Sequence, residues 1–278
     1  MQTPLLNHDF VQAPGATPTR WMLVLHGIYG AGRNWGSVAR RFVEARPEWG
    51  AVLVDLRGHG GSQGFAPPHT VEACADDLIA LVASLDRDVA AILGHSFGGK
   101  VSLRYAEKAA VDPRMPHLEQ VWVIDSTPDV RPPSGSAWGM LQMLRANPGP
   151  FEDRSEGIAA VESAGYPRPV AQWMSTNLVR DDGGALVWRV DADQMESLLL
   201  SFFDLDLWPV VEHPPAGTAV HLVKATESSL LDEEARARIE AAGLATGAAH
   251  LHVVEGGHWL NADNPDALQA LLEEWLGS

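Results

Sequence analysis

The chain has 278 residues, 46% hydrophobic and 20% charged, which excludes a disordered tail protein and a collagen-like repeat. At that length it forms one large domain or two small ones around a sizeable buried core. Its 20 Lys and Arg stand against 36 Asp and Glu, a net charge of −16, and that field repels nucleic-acid phosphates and anionic lipid.

In chain order, the stretch Met1 to Asp9 lacks a basic start and an export-length apolar run, so a soluble, untargeted, cytoplasmic protein without stable membrane association is expected. Four short apolar runs follow: Trp21 to His26, Ala51 to Asp55, Val89 to Gly94 and Gln120 to Asp125. Each has the form of a strand buried on both faces. Helical patterns lie between them at Asn34 to Arg46, Val71 to Leu85 and Phe97 to Ala110. The single cysteine, Cys74, falls in the second of these; it permits neither an intrachain disulfide nor a thiolate metal cluster and reads as a small core residue. Strand–helix alternation implies an α/β class, a mostly parallel sheet with helices on both faces.

After Asp125 the alternation stops. The segment to Gly217 carries helical pieces at Trp138 to Leu144, Val170 to Leu178 and Asp193 to Phe203, with a turn at Asp181 to Gly184. The sheet pattern then returns with Ala219 to Lys224, a helix at Asp232 to Ala242, a strand His250 to Val254 and a last helix Pro265 to Leu276, with Asn264 as its N-cap. The expected organisation is a core of residues 1–126 and 218–278 with a helical cap, 127–217, inserted in it. Nothing in the pattern indicates an oligomeric state.

Gly94-His-Ser-Phe-Gly98 fits G-x-S-x-G where a strand hands over to a helix, the setting that holds a serine exposed on a sharp turn. The pattern alone is weak and takes its weight from its surroundings. The same stretch also reads Gly94-x-x-x-x-Gly99-Lys100, but Val101 stands where a phosphate loop needs Ser or Thr for magnesium. Upstream, His26-Gly-Ile-Tyr-Gly30 offers a turn whose N–H groups can face a developing negative charge. The N–H of Ile28 and of Phe97, after the serine, are the candidate oxyanion donors. Downstream, Glu255-Gly-Gly-His258-Trp-Leu places His258 in a loop between the last strand and the last helix, suited to a general base. His95 reads as a packing residue, His250 and His252 as sheet surface rather than metal ligands, and Asp55 to Ser62 as a rigid turn at the site rim.

Together His26-Gly-Ile-Tyr-Gly30, Asp55-Leu-Arg-Gly-His-Gly-Gly-Ser62, Gly94-His-Ser-Phe-Gly-Gly-Lys100 and Gly256-Gly-His-Trp259 resemble the α/β-hydrolase superfamily over the whole chain. With Ile124-Asp-Ser-Thr-Pro128 and Trp188-Arg-Val-Asp191, the chain is similar to a branch of small bacterial esterases and their mitochondrial relatives. The resemblance implies action on acyl esters and thioesters without a cofactor or metal. In most of the superfamily the triad acid follows the strand that is here Ala219 to Lys224, where this chain has Ser229. Asp125 is the favoured acid, because its strand should neighbour the serine strand at about 4.8 Å and the resembled branch carries its acid there in the form Asp-x-x-Pro. Glu227 is the alternative acid, with Asp232 or no acid behind it.

The expected chemistry is attack by Ser96 with His258 as base and Asp125 orienting it, on a small-molecule ester with an apolar acyl group. Tyr29, Trp138, Met143, Trp188 and Trp259 are the expected substrate contacts. Two other readings stay open: carbon–carbon hydrolysis, perhydrolysis or a lyase reaction on the same residues, and a ligand binder without turnover, which the absent acid at position 229 keeps alive.

Overall fold

The computed structural model describes residues 4–276; Met1 to Thr3, the start of the stretch read above for targeting, lie outside them. Strands β1 (His8–Val11), β2 (Arg20–Leu25), β3 (Trp49–Val54), β4 (Val89–His95), β5 (Gln120–Ile124), β8 (Ala219–Ala225) and β9 (Ala249–Val254) form one sheet in the order β1-β3-β2-β4-β5-β8-β9. Only β1 is antiparallel, pairing with β3; the other neighbours run parallel. Parallel strands need helical crossovers that cover both faces, and residues alternate accordingly. Leu23, Leu25, Val121 and Val123 enter a core beneath α2 (Val71–Ser84), α3 (Phe97–Ala109) and α9 (Glu233–Thr246). Met22, Val24, Trp122 and Ile124 enter the opposite core beneath α1 (Gly36–Ala45) and α11 (Pro265–Trp275), the latter preceded by the single turn α10 (Leu260–Asp263).

The sheet order places a topological switch between β2 and β4. From β2 the chain crosses to β3 on one side, and from β4 onward it builds to the other. The loops leaving β2 and β4 therefore diverge, and a crevice opens outside their carboxyl ends, the usual ligand position in open α/β sheets. Both the His26 turn and Ser96 leave the sheet there.

Between β5 and β8 lie α4 (Gly135–Ala146), α5 (Arg154–Ser163), α6 (Arg168–Met174), the hairpin β6 (Leu178–Arg180) and β7 (Leu186–Trp188), α7 (Ala192–Asp204) and α8 (Trp208–Glu212). The pattern predicts one helix over Val170 to Leu178, yet α6 ends at Met174. The Ser175 and Thr176 hydroxyls donate back to the carbonyls of Gln172 and Trp173, and such side-chain bonds compete with helix propagation and close the end as a 3₁₀ turn. Helix α5 escapes the pattern because it buries little beyond Gly157 and Val161. As expected, the Asn264 side chain caps α11 by accepting from the Ala267 N–H. Asp232, one of the reserve acids, caps α9 by accepting from Ala235 N–H. Cys74 is buried in α2. No helix among the described residues is long and apolar enough to cross a membrane.

His250 and His252 are not simple sheet surface. They flank His221 of β8, whose ring stacks 4.1 Å from Trp122 and whose Nδ1 lies 3.0 Å from His252 Nε2, under Trp275 of α11. The group is an aromatic stack between sheet and helix. Among the described residues no set of three His, Cys, Asp or Glu is arranged to hold a metal.

Candidate active site

Ser96 sits between β4 and α3 with φ 52° and ψ −115°, a conformation L-residues rarely adopt and one that thrusts the side chain out of the turn. Close approach on both sides explains the flanking glycines. A Cβ on Gly94 would lie 2.0 Å from the Gly98 carbonyl oxygen, and one on Gly98 would lie 2.6 Å from the His26 oxygen. Phe97 opens α3, and a first-turn N–H has no acceptor within its own helix.

Asp125, directly after β5, also has positive φ, 42°, and is fully buried. Its Oδ1 accepts from the Ala225 N–H at 3.1 Å, and its Oδ2 lies 2.6 Å from His258 Nδ1. One carboxylate thus both pins the neighbouring strand end and holds the imidazole. Glu227 lies past the end of β8 with an exposed side chain, and its backbone N–H donates to the Gly256 oxygen of the histidine loop at 3.0 Å. His95 does more than pack. Its Nε2–H donates to the His258 carbonyl at 2.8 Å, and the two rings lie 4.7 Å apart.

The turn after β2 is held from beneath by the segment after β3. His26 accepts from the Leu56 N–H at 3.0 Å through Nε2, and His59 accepts from the Tyr29 N–H at 3.1 Å through Nε2. Asp55 accepts from the N–H groups of Gly32 and Gly61, and Arg57 forms a buried, two-pronged pair with Asp77. This is the rigid rim expected of Asp55 to Ser62. Lys100, which the phosphate-loop alternative would use, is fully buried with Nζ donating to the carbonyls of Asp129, Phe202 and Leu205. Its three donors are spent anchoring the cap's root, which leaves none of them for a phosphate.

Burial keeps several of these rings neutral. It pushes His59 down to about 3, helped by His26, and His95 down to about 3, helped by His258. Burial and then His250 lower His252 to about 4, and burial lowers His221 too. The unfolded chain binds protons near pH 6.5 that the fold refuses, so stability is full above pH 6.5 and is lost as pH falls toward 4 and 3. Each such ring adds about 1.4 kcal/mol per pH unit to that loss. Thermal melts should show Tm falling on the order of 10 °C between pH 6.5 and 4.5; a flat profile would contradict the neutral-histidine assignment.

Ser96, His258, Ile28 and Tyr29 line one cavity of about 370 Å³, within the range of small-ligand sites. Its cap wall is Ala137, Met140, Val170 and Trp173, and its other wall Trp35, Trp259 and Asp263. A larger, more open hollow of about 840 Å³ lies at the opposite end of the sheet, by His117, Thr218 and Gly247, away from these groups. Of the five expected substrate contacts, Tyr29 and Trp259 line the smaller cavity; Trp138, Met143 and Trp188 do not. Helix α4 turns Ala137 and Met140, three apart, toward the cavity. Trp138 instead meets Phe203 edge-on, Met143 is buried in the apolar core, and Trp188 donates its indole N–H to the Asn147 carbonyl. Trp35, Val170 and Asp263 carried no motif and were missed; Met140 and Trp173 stand in apolar stretches of the insertion, where composition marks them but not their direction.

Residues 22–271 match the alpha/beta hydrolase family. Mouse sn-1-specific diacylglycerol lipase ABHD11 is 25% identical over 279 residues, covering 98% of this chain and 85% of that protein. Esterase YbfF of Escherichia coli K12 is 23% identical, covering 92% of each. Among solved structures, a marine microorganism esterase superposes with a TM-score of 0.81 at 21% identity, over 98% of this chain and 99% of that one. E-2-(acetamidomethylene)succinate hydrolase gives 0.73 at 22% identity, over 98% and 95%. A match running from β2 into the last helix takes in the whole switch-point crevice as well as the insertion above it, and the chain belongs to the alpha/beta hydrolase family.

Proposed function

We propose that this protein is a serine hydrolase that cleaves carboxylic esters of small or medium apolar acyl groups through an acyl-enzyme. The observation that carries the reading is the 2.6 Å contact between His258 Nδ1 and the buried Asp125, with His258 and the strained Ser96 on one cavity. Asp125 fixes the tautomer in which Nδ1–H donates to Oδ2, leaving Nε2 free to accept a proton. Ser96 Oγ attacks the carbonyl carbon as His258 takes its proton, and the oxyanion is held by the N–H groups of Ile28 and Phe97. Collapse breaks the ester bond, and His258 returns the proton to the leaving alkoxide. Water, deprotonated by His258, then attacks the acyl-serine and releases the carboxylic acid.

The cavity favours uncharged acyl groups. Among the described residues its lining holds no Lys or Arg, one carboxylate, Asp263, and the rings of Trp35, Trp173 and Trp259. The paired Asp125 and His258 also support turnover over passive binding, since they supply what Ser229 does not. The test is a panel of p-nitrophenyl esters from acetate to palmitate, with a hemisuccinate and a carbon–carbon diketone. We expect kcat/KM to peak at short or medium neutral chains and fall at least about tenfold for palmitate and hemisuccinate. Turnover of the diketone alone, or of no ester, overturns the reading.

A further inference from the structure

Tyr29 joins the turn after β2 to two elements of the insertion and to the segment after β3. It is 2% exposed and has φ 63°, in the left-handed region. Its N–H donates to His59 Nε2 at 3.1 Å, its carbonyl accepts from Asn177 Nδ2 at 2.8 Å, and its hydroxyl donates to the Ala137 carbonyl at 2.9 Å. Ala137 belongs to the first turn of α4, and Asn177, itself buried, to the 3₁₀ turn before β6. Two cap elements 40 residues apart in sequence therefore converge on the residue that follows Ile28. Burial raises the Tyr29 phenol well above its ordinary range, so the hydroxyl stays a donor at any assay pH.

Resting on the esterase reading above, we propose that Tyr29 is a positioning residue: it ties the seating of the cap, through Ala137 and Asn177, to the placement of the Ile28 N–H that receives the oxyanion. The His59 bond removes the Tyr29 N–H from service as a donor, so the turn's contribution falls to the peptide immediately before it. That peptide, between Gly27 and Ile28, meets the Tyr29 peptide at the Ile28 Cα, and the strained φ of Tyr29 persists only while its three bonds over-determine it. A shift of the cap relaxes Tyr29 and swings the Ile28 N–H off its target. The acyl group occupies the space between these parties, since Tyr29, Ala137, Met140 and Val170 all line the cavity. Filling it thus seats the cap and aligns the donor together.

The test uses the full chain with Tyr29→Phe, which keeps the ring and deletes only the hydroxyl bond, and Asn177→Ala, which deletes the second anchor. Because donor placement acts on the transition state, we expect each to lower kcat about tenfold with KM within about twofold. Amide hydrogen exchange in residues 27–32 should speed up while α3 stays protected. A raised KM or lowered Tm at unchanged kcat marks packing alone and overturns the proposal, as does unaltered exchange in 27–32. Wild-type protein inactive on every ester overturns the esterase reading instead. The exchange arm then still decides the coupling, with Asn177→Ala replacing Tyr29→Phe should the latter not fold.

Discussion

Replacing Ser96 by alanine is expected to lower kcat for ester hydrolysis by about 10⁴-fold or more, with the fold intact. The size follows from the mechanism: without Oγ no acyl-enzyme forms, and what remains is substrate binding next to the oxyanion donors. Alanine fits the elbow as well as serine does, because the φ of 52° is imposed by the close contacts of Gly94 and Gly98. Circular dichroism and Tm should therefore match wild type while kcat collapses. Retention of ester hydrolysis in that variant would remove Ser96 from the mechanism.

Asp125→Asn is expected to cost about 10⁴-fold in kcat, while Glu227→Gln stays within about twofold of wild type. The hydrogen bonds supply the reason. Asp125 Oδ1 accepts from the Ala225 N–H, so in the asparagine variant the amide oxygen takes that position and the NH₂ group faces His258. A donor there forces Nδ1 to accept and moves the imidazole proton to Nε2, where it can no longer receive the serine's proton. Geometry and KM should barely change. A harmless Asp125→Asn with an inactive Glu227→Gln would transfer the acid to the end of β8.

How far the sequence revealed this arrangement depends on what each residue's role requires of its neighbours. The elbow was legible because Gly94 and Gly98 are dictated by contacts within a few residues. Strands β2, β3, β4, β5 and β8 were legible because burial on both faces leaves largely apolar runs, and the edge strand β9 from its alternating His-Leu-His-Val-Val, whereas β1, a half-exposed edge strand of sequence His-Asp-Phe-Val, left none. The pairing of Asp125 with His258 spans 133 positions and was accessible through the expectation that β5 lies beside β4, together with the Asp-x-x-Pro form of the resembled branch. Cap contacts were the least legible. Trp138, Met143 and Trp188 are as apolar as Met140 and Trp173, and only packing between α4, α7 and the β6–β7 hairpin decides which of them turn inward. The second tasks of His95, His59 and Lys100 were equally hidden, because each bonds a backbone group of a segment distant in sequence.

The most direct measurement is the site of covalent labelling by a fluorophosphonate, which reacts only with a serine whose hydroxyl is activated by a base. Intact-mass and peptide mapping should give one adduct per chain, on the peptide carrying Ser96, absent from Ser96→Ala and strongly slowed in Asp125→Asn. Folded protein that takes up no label, or takes it up at another residue, would contradict the assignment of Ser96 as the nucleophile.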